Sequence, residues 1–452
     1  MDSLLKPLSL RRDSQIALPL SPMSIQETSQ PEGAASSTYA APYPLTSSAI
    51  AGPSGTSDCF HIALPPDEIP TSRTLITLGG SEGQPLLKVP AMGVGAFAWG
   101  DVVTYGWGPA GGYDKRLDDK SVSEGFDELV KIYSKLFIDV SEHYGSDNGY
   151  AEHIVGFNLD KHFTLAQRDQ RVVLATKFAP SASRHPYKYP QVVQDALQES
   201  LNRLQTPSID IYQLQGPSTG GFWPRLETLA DGLARCYEAG KIKAVGTCNL
   251  GINDVRWLHD YFQKRNVPYV SNQVEFSLLH MEPYTSGLIR ECRSLGIATI
   301  AYSPLAVGRL TGKYSSKHLP EGYRNLSHIS WDKIEPILDE LISIGQKHGK
   351  TPGAVALNWV MCKGAIPIPS IKNAEQAKDC SEALGWRLTE DEETRLNSLG
   401  LVNERDWNIF RKVTEWCYHQ ASYYPVVNFH RAPFVRSPKW SSPFARNHPR
   451  SS

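Results

Sequence analysis

Several classes of protein are excluded by what this sequence lacks. It has no excess charge of one sign: 46 basic residues stand against 47 acidic ones, for a formal charge of -1. A nucleic-acid or anionic-membrane partner would call for a basic surplus, so neither is expected. Cysteine is sparse, seven in 452 residues. The number is odd and no Cys-x-x-Cys pair occurs, which argues against both a disulfide framework and a zinc site. A reducing, cytoplasmic setting and no bound metal are the corresponding expectations. Nowhere do 18 apolar residues run together, and the opening MDSLLKPLSLRRDSQ has no apolar core of signal-peptide length. With 40% hydrophobic residues, the chain has enough apolar material for a large core acting on a small molecule.

The first 75 to 80 residues also lack any helical or strand period. They are rich in Ser, Pro, Ala and Thr, as in QPEGAASSTYAAPYPLTSSAIAGPSGTSD, a composition that cannot bury enough apolar surface to offset its ordering entropy. Residues 1–80 read as a disordered leader. Import into a chloroplast or mitochondrion is the alternative, since Arg11, Arg12 and the serines suit a transit peptide while Asp2 and Asp13 oppose one.

From about residue 90 short apolar runs alternate with longer amphipathic stretches. The runs are AMGVGAF (91–97), LFIDV (136–140), RVVLATKF (171–178), IDIYQLQ (209–215), KAVGTCN (243–249), YVSNQVEF (269–276), IATIAYSPL (297–305) and AIPIPSI (365–371). Between them lie segments such as YPQVVQDALQESLNRLQ with apolar residues at helical spacing. Gly240 and Gly296 fall where helices should end, glycine being free to take positive φ. Eight near-continuous apolar strands, each followed by a helix, suit a closed parallel sheet buried on both sides, a (β/α)₈ barrel over residues 88–400. An open doubly wound sheet is the rival. It would place a G-x-G-x-x-G turn after the first strand, and MGVGAFAWG does not have that spacing.

In such a barrel the chemistry sits at the C-terminal strand ends. Asp139 and Lys177 interrupt otherwise apolar strands, where a charge is costly unless paired, so a buried Asp–Lys pair is expected. Tyr144 follows five residues after Asp139. A lysine ammonium beside a phenol would stabilise the phenolate, lower its pKa and make it a proton donor to a carbonyl oxygen.

The segments FIDVSEHYG, VVLATKF, DIYQLQGP, AVGTCN, SNQVEFS, IAYSPL with RLTGKY, and IPIPSIKNAEQAKDC resemble, in order, the signatures of the aldo-keto reductase superfamily. The branch most like this chain contains plant-type and microbial members related to pyridoxal reductases. The resemblance implies NADP(H) as cofactor, a small aldehyde or ketone as substrate and no metal. It implies a tetrad of Asp139, Tyr144, Lys177 and Gln215, the last standing where the family has His. Glutamine keeps an amide donor that can polarise a carbonyl but has no titratable proton. For the nicotinamide end the resemblance implies Asn249, Gln273 and Tyr302, with Cys248 replacing a serine, and Ser303 and Leu305 just beyond. For the phosphate and adenosine end it implies Ser370, Lys372, Asn373, Gln376 and Asp379 at a helix start, where free N–H groups favour phosphate; Cys380 replaces an asparagine there.

The loops 98–121 and 216–225 and the chain after 400 are expected to shape the substrate site, with Trp99, Tyr105, Trp107 and Trp223 as an apolar wall. Residues 401–452 read as a C-terminal extension. The alternative function is a regulatory protein that senses NADP(H) with weak or no turnover, because potassium-channel β subunits resemble this family and also depart at the histidine position.

Overall fold

The apolar runs form strands, and the strands form a ring. A computed structural model describes residues 63–79, 87–101, 117–146, 149–180, 189–216, 225–320 and 329–402. In chain order the elements are β1 (Leu75–Leu78), β2 (Leu87–Pro90), β3 (Val94–Gly95), α1 (Asp119–Ile132), β4 (Leu136–Asp139), α2 (Tyr150–His162), α3 (Leu165–Arg171) and β5 (Val172–Phe178). They continue with α4 (Gln191–Leu204), β6 (Ile209–Gln215), α5 (Leu226–Glu238), β7 (Ile242–Cys248), α6 (Ile252–Lys264), β8 (Tyr269–Glu275), α7 (Glu282–Thr285), α8 (Leu288–Ser294) and β9 (Ala298–Tyr302). The last are α9 (Trp331–His348), α10 (Pro352–Cys362), β10 (Ala365–Pro367), α11 (Ala374–Ser381) and α12 (Glu390–Leu399).

Strands β3 to β10 pair in chain order, every neighbour parallel. The ring closes between its first and last strands: Gly93 N–H donates to Pro367 O at 2.9 Å and Gly95 N–H to Pro369 O at 3.0 Å, beside a parallel bridge from Gly95 to Ser370. A closed parallel ring with outer helices is the (β/α)₈ barrel, not the open sheet. All eight expected strands are present. The first and last are shorter than their apolar runs; at the last, Pro367 and Pro369 have no N–H for a ladder.

β5 is buried at all seven positions, as a strand covered on both faces must be. Fully buried Phe126, Phe137, Phe262 and Trp359 fill the barrel and the layer under the helices, each such side chain contributing about 1.5–3 kcal/mol of burial. Local signals set the helix ends. Reciprocal capping boxes start α1 (Asp118 with Ser121), α3 (Thr164 with Gln167) and α12 (Thr389 with Glu392), and Gly240 (φ 66) and Gly296 (φ 74) are left-handed just past α5 and α8.

One boundary moves. The reading of residues 1–80 as a disordered leader is corrected from residue 63 onward: Ala63, Leu64, Ile76 and Leu78 are buried, and β1 pairs antiparallel with β2. This hairpin lies against β4 and β5, and Gly79 comes so close to Val270, near the start of β8, that a Cβ would stand 2.8 Å from its methyl. It therefore covers the N-terminal end of the barrel, opposite the site. Residues 1–62 and 403–452, which hold most of the leader and extension, lie outside the described residues. Among the described residues no helix is long and apolar enough to cross a membrane.

Candidate functional site

At the C-terminal strand ends a cavity of about 310 Å³ opens. Its floor is polar and tightly bonded. Lys177, on β5, donates from Nζ to Asp139 Oδ2 on β4 at 2.5 Å and to Val140 O at 2.9 Å. The other carboxylate oxygen, Oδ1, accepts from Gln213 Nε2 at 2.7 Å and from Gln273 Nε2 at 2.8 Å. Burial is the largest single influence and would depress the Lys177 ammonium's pKa, but the Asp139 carboxylate and its hydrogen bond, with Tyr144 and Cys248 nearby, together outweigh it and the pKa rises. The expected buried pair is present, and both partners are shielded from water.

Tyr144 follows in the turn after β4, held by Tyr144 N–H to Ser141 O at 3.1 Å and Ala151 N–H to Tyr144 O at 3.2 Å. Its ring lies 4.7 Å from the Lys177 ammonium and meets Phe97 edge-on at 5.0 Å. The expectation of a lowered pKa is corrected. Burial is the larger influence and pushes the phenol up to about 12, against the pull of Lys177 and with a further push from Asp139. The phenol therefore keeps its proton at neutral pH.

Gln215 ends β6 on the cavity wall. Its Oε1 accepts from the buried Ser141 Oγ at 3.3 Å, which leaves the amide NH₂ as the group it can offer to a ligand. His143, two residues from Ser141, has a 39% exposed side chain 4.0 Å from Glu142 and does not line the cavity. Cys248 does line it, and burial pushes its thiol up to about 12.

The remaining expected residues ring the same cavity: Asn249, Gln273, Tyr302, Ser303 and Leu305 on one side, Ser370, Lys372, Gln376 and Asp379 on the other. Asn249 is left-handed (φ 61) and its N–H donates to Gln273 O at 2.7 Å. Tyr302 is shifted well upward, first by burial and then by Glu275, against a hydrogen bond with Asn249. Ser370 Oγ is buried without a hydrogen-bond partner. Asn373 is off the lining and serves as the cap of α11, accepting Gln376 N–H at 2.8 Å, while Gln376 Oε1 accepts Lys372 N–H at 3.0 Å. Gly125 in α1 lets that turn approach closely, since a Cβ would meet the Asn373 backbone at 3.0 Å. Burial, with Glu375 and Glu382 nearby, raises Asp379.

The sequence reading missed part of the lining. Val307, Gly308, Thr311, Lys313, Tyr314 and Thr351 come from the turn after β9 and the start of α10. Ser303, Ala306 and Val307 are left-handed there without being glycine, at a cost of roughly 1–2 kcal/mol each that surrounding structure must offset. Gln213 was also missed, although period-two alternation puts it on the face of β6 that carries Gln215. Trp99 is corrected: it is core, 1% exposed, with its indole N–H donating to Ile371 O at 2.9 Å. Tyr105, Trp107 and Trp223 lie outside the described residues. No group of three or more His, Cys, Asp or Glu side chains poised for a metal occurs among the described residues.

Comparisons with known proteins match this arrangement to one class. The model of the aldo/keto reductase family matches residues 92–400, and the chain belongs to that family, whose members are NADP(H)-dependent oxidoreductases. A chloroplastic pyridoxal reductase of Arabidopsis thaliana is 40% identical over 316 residues, 69% of this chain and 83% of the relative. An aldo-keto reductase of Strobilurus tenacellus is 28% identical over 343 residues, 71% of this chain and 93% of the relative. Among solved structures, an aldo/keto reductase from Klebsiella pneumoniae in complex with NADP and acetate covers 70% of this chain and 94% of its own, with TM-score 0.51 and 24% identity. A glycerol dehydrogenase from Gluconobacter oxydans has TM-score 0.56 and 21% identity, covering 72% of this chain and 94% of its own. The chain is thus an oxidoreductase that reduces carbonyl compounds.

Proposed function

We propose that the chain reduces an aromatic or heteroaromatic aldehyde of the pyridoxal type with NADPH, using Tyr144 as proton donor and Gln215 as the second donor to the carbonyl oxygen. The observation that carries this is the stack of Asp139, Lys177 and Tyr144 beneath a cavity with Gln215 on its wall. The name of the 40% identical Arabidopsis relative supports the substrate class.

The residues fit the cofactor. Ser370 Oγ is a buried hydroxyl without a partner on the cavity wall, a group that a phosphate oxygen would satisfy. Lys372 and the capped start of α11 add positive potential beside it. Asn249 and Gln273 would take the carboxamide, Tyr302 the face of the nicotinamide ring, Ser303 and Leu305 the edge near the pyrophosphate, and Gln376 and Asp379 the adenosine. When bound, NADPH supplies the hydride. Everything else falls to the chain: Gln215 Nε2 and the Tyr144 hydroxyl hydrogen-bond the carbonyl oxygen, and Tyr144 gives that oxygen its proton. Lys177 stabilises the phenolate left behind, and Asp139 keeps Lys177 charged and in place.

The test is consumption of NADPH at 340 nm with pyridoxal and a panel of other aldehydes and ketones. Turnover by the parent is expected, and Gln215→Leu is expected to lower kcat by on the order of 10²-fold, the usual cost of a lost donor to a developing oxyanion. A parent that binds NADPH but turns nothing over, with activity appearing only in Gln215→His, would establish the sensing role instead. Cytoplasmic residence is part of the proposal; an organellar address is the alternative, and the location of a fluorescent reporter fused behind residues 1–62 separates them.

A further inference from the structure

Gln213 is wholly buried and is not part of the cavity lining, yet it bonds to two groups that are. Asp139 Oδ1 is an acceptor only, so both amides that approach it must present their NH₂. Gln213 Nε2 does so at 2.7 Å and Gln273 Nε2 at 2.8 Å. Gln273 Nε2 has a second hydrogen, and Gln213 Oε1 accepts it at 3.2 Å. Both N–H bonds of Gln273 are then committed inward. Turning that amide over would set its oxygen against the Asp139 carboxylate and against Gln213 Oε1, two acceptors facing a third. What Gln273 can offer the cavity, which it lines, is a carbonyl oxygen.

We infer that Gln213 is a positioning residue that, together with Asp139, holds the Gln273 amide in one orientation, so that the cavity presents an acceptor selective for a ligand N–H at the nicotinamide carboxamide. This rests on the cofactor reading above and deepens it, since it states which hydrogen-bonding polarity the site demands. It also joins cofactor recognition to the Asp139–Lys177 pair through one shared carboxylate oxygen.

The probes are NADP⁺ and its 3-acetylpyridine analogue, in which the carboxamide NH₂ is replaced by a methyl group while the carbonyl remains. Affinities are read by isothermal titration calorimetry, with no turnover involved. The parent is expected to prefer NADP⁺ by roughly tenfold, the scale of one hydrogen bond whose acceptor would otherwise be stranded. Gln213→Met keeps the side-chain volume but removes both of its bonds, leaving Asp139 Oδ1 as the remaining partner of the Gln273 amide, and the preference is expected to fall severalfold toward unity. Loss of packing alone would weaken both ligands together and leave the ratio intact, an outcome that overturns the inference. Equal affinities in the parent overturn it as well, and that measurement decides if Gln213→Met does not fold. A parent that binds neither compound refutes the cofactor reading itself.

Discussion

Tyr144→Phe is expected to lower kcat for carbonyl reduction by on the order of 10²–10⁴-fold, the range attributed to a positioned general acid, with NADPH binding unchanged. The substitution removes one hydroxyl and retains the ring that packs edge-on with Phe97 and lies over the Lys177 ammonium. Stability should therefore change little, and the loss should appear in single-turnover rates. The pH dependence has a definite sign. Reduction needs the protonated phenol, and burial pushes its pKa up to about 12. The rate should consequently hold level from about pH 6 to about pH 9, with no alkaline decline in that window. A fall centred near neutral pH in the pH profile of kcat/KM would mean that another group supplies the proton.

Asp139→Ala is the change expected to cost most in stability, about 3–5 kcal/mol, because it leaves a buried ammonium without its counter-charge. It also strips Gln213 and Gln273 of their common acceptor. In the parent, Asp139 raises the Lys177 pKa against the opposing effect of burial. Without Asp139 burial is opposed only by the weaker influences of Tyr144 and Cys248, and the folded-state pKa of Lys177 is expected to drop below its unfolded value. The unfolded chain then binds the extra proton, so the variant's stability should rise with pH up to the ordinary lysine pKa, whereas the parent has no such gain from Lys177. Urea unfolding of both proteins across that range checks the slope. A flat profile for the variant would show that Lys177 finds another partner.

Much of this was legible in the sequence because a closed parallel sheet buries both faces of its strands. Apolar runs of strand length follow from that, and the charges at Asp139 and Lys177 stand out against them. The pairing of β1 with β2 was less legible, since each strand has only four residues and the sequence GGSEGQP between them reads like the polar segment before it. The Tyr144 pKa could not be read correctly: Lys177 is visible five strand residues into VVLATKF, but the desolvation that outweighs it belongs to the packed barrel. Trp99 failed for the converse reason, as an aromatic in a Gly-rich loop gives no sign of the distant Ile371 carbonyl that draws its indole into the core. Gln213 was readable in principle, two residues before Gln215 on the same face, but a buried glutamine declares no role until its acceptor is known.

The seam of the barrel has a thermodynamic consequence. Where β3 meets the end of β10, Gly93 and Gly95 donate and Pro367 and Pro369 accept, and the prolines have no hydrogen to return. At those two positions the bonds run in one direction only, along a two-residue strand, beside the bridge from Gly95 to Ser370. It should be where the ring opens first in sub-global fluctuations, with the Gly93 and Gly95 amides exchanging with deuterium sooner than those at the centre of β5 or β6. A dinucleotide seated across Ser370 and Lys372 would bind the closed junction and disfavour its opening, so slowed exchange at these two glycines would report occupancy of the site from the far side of the strand.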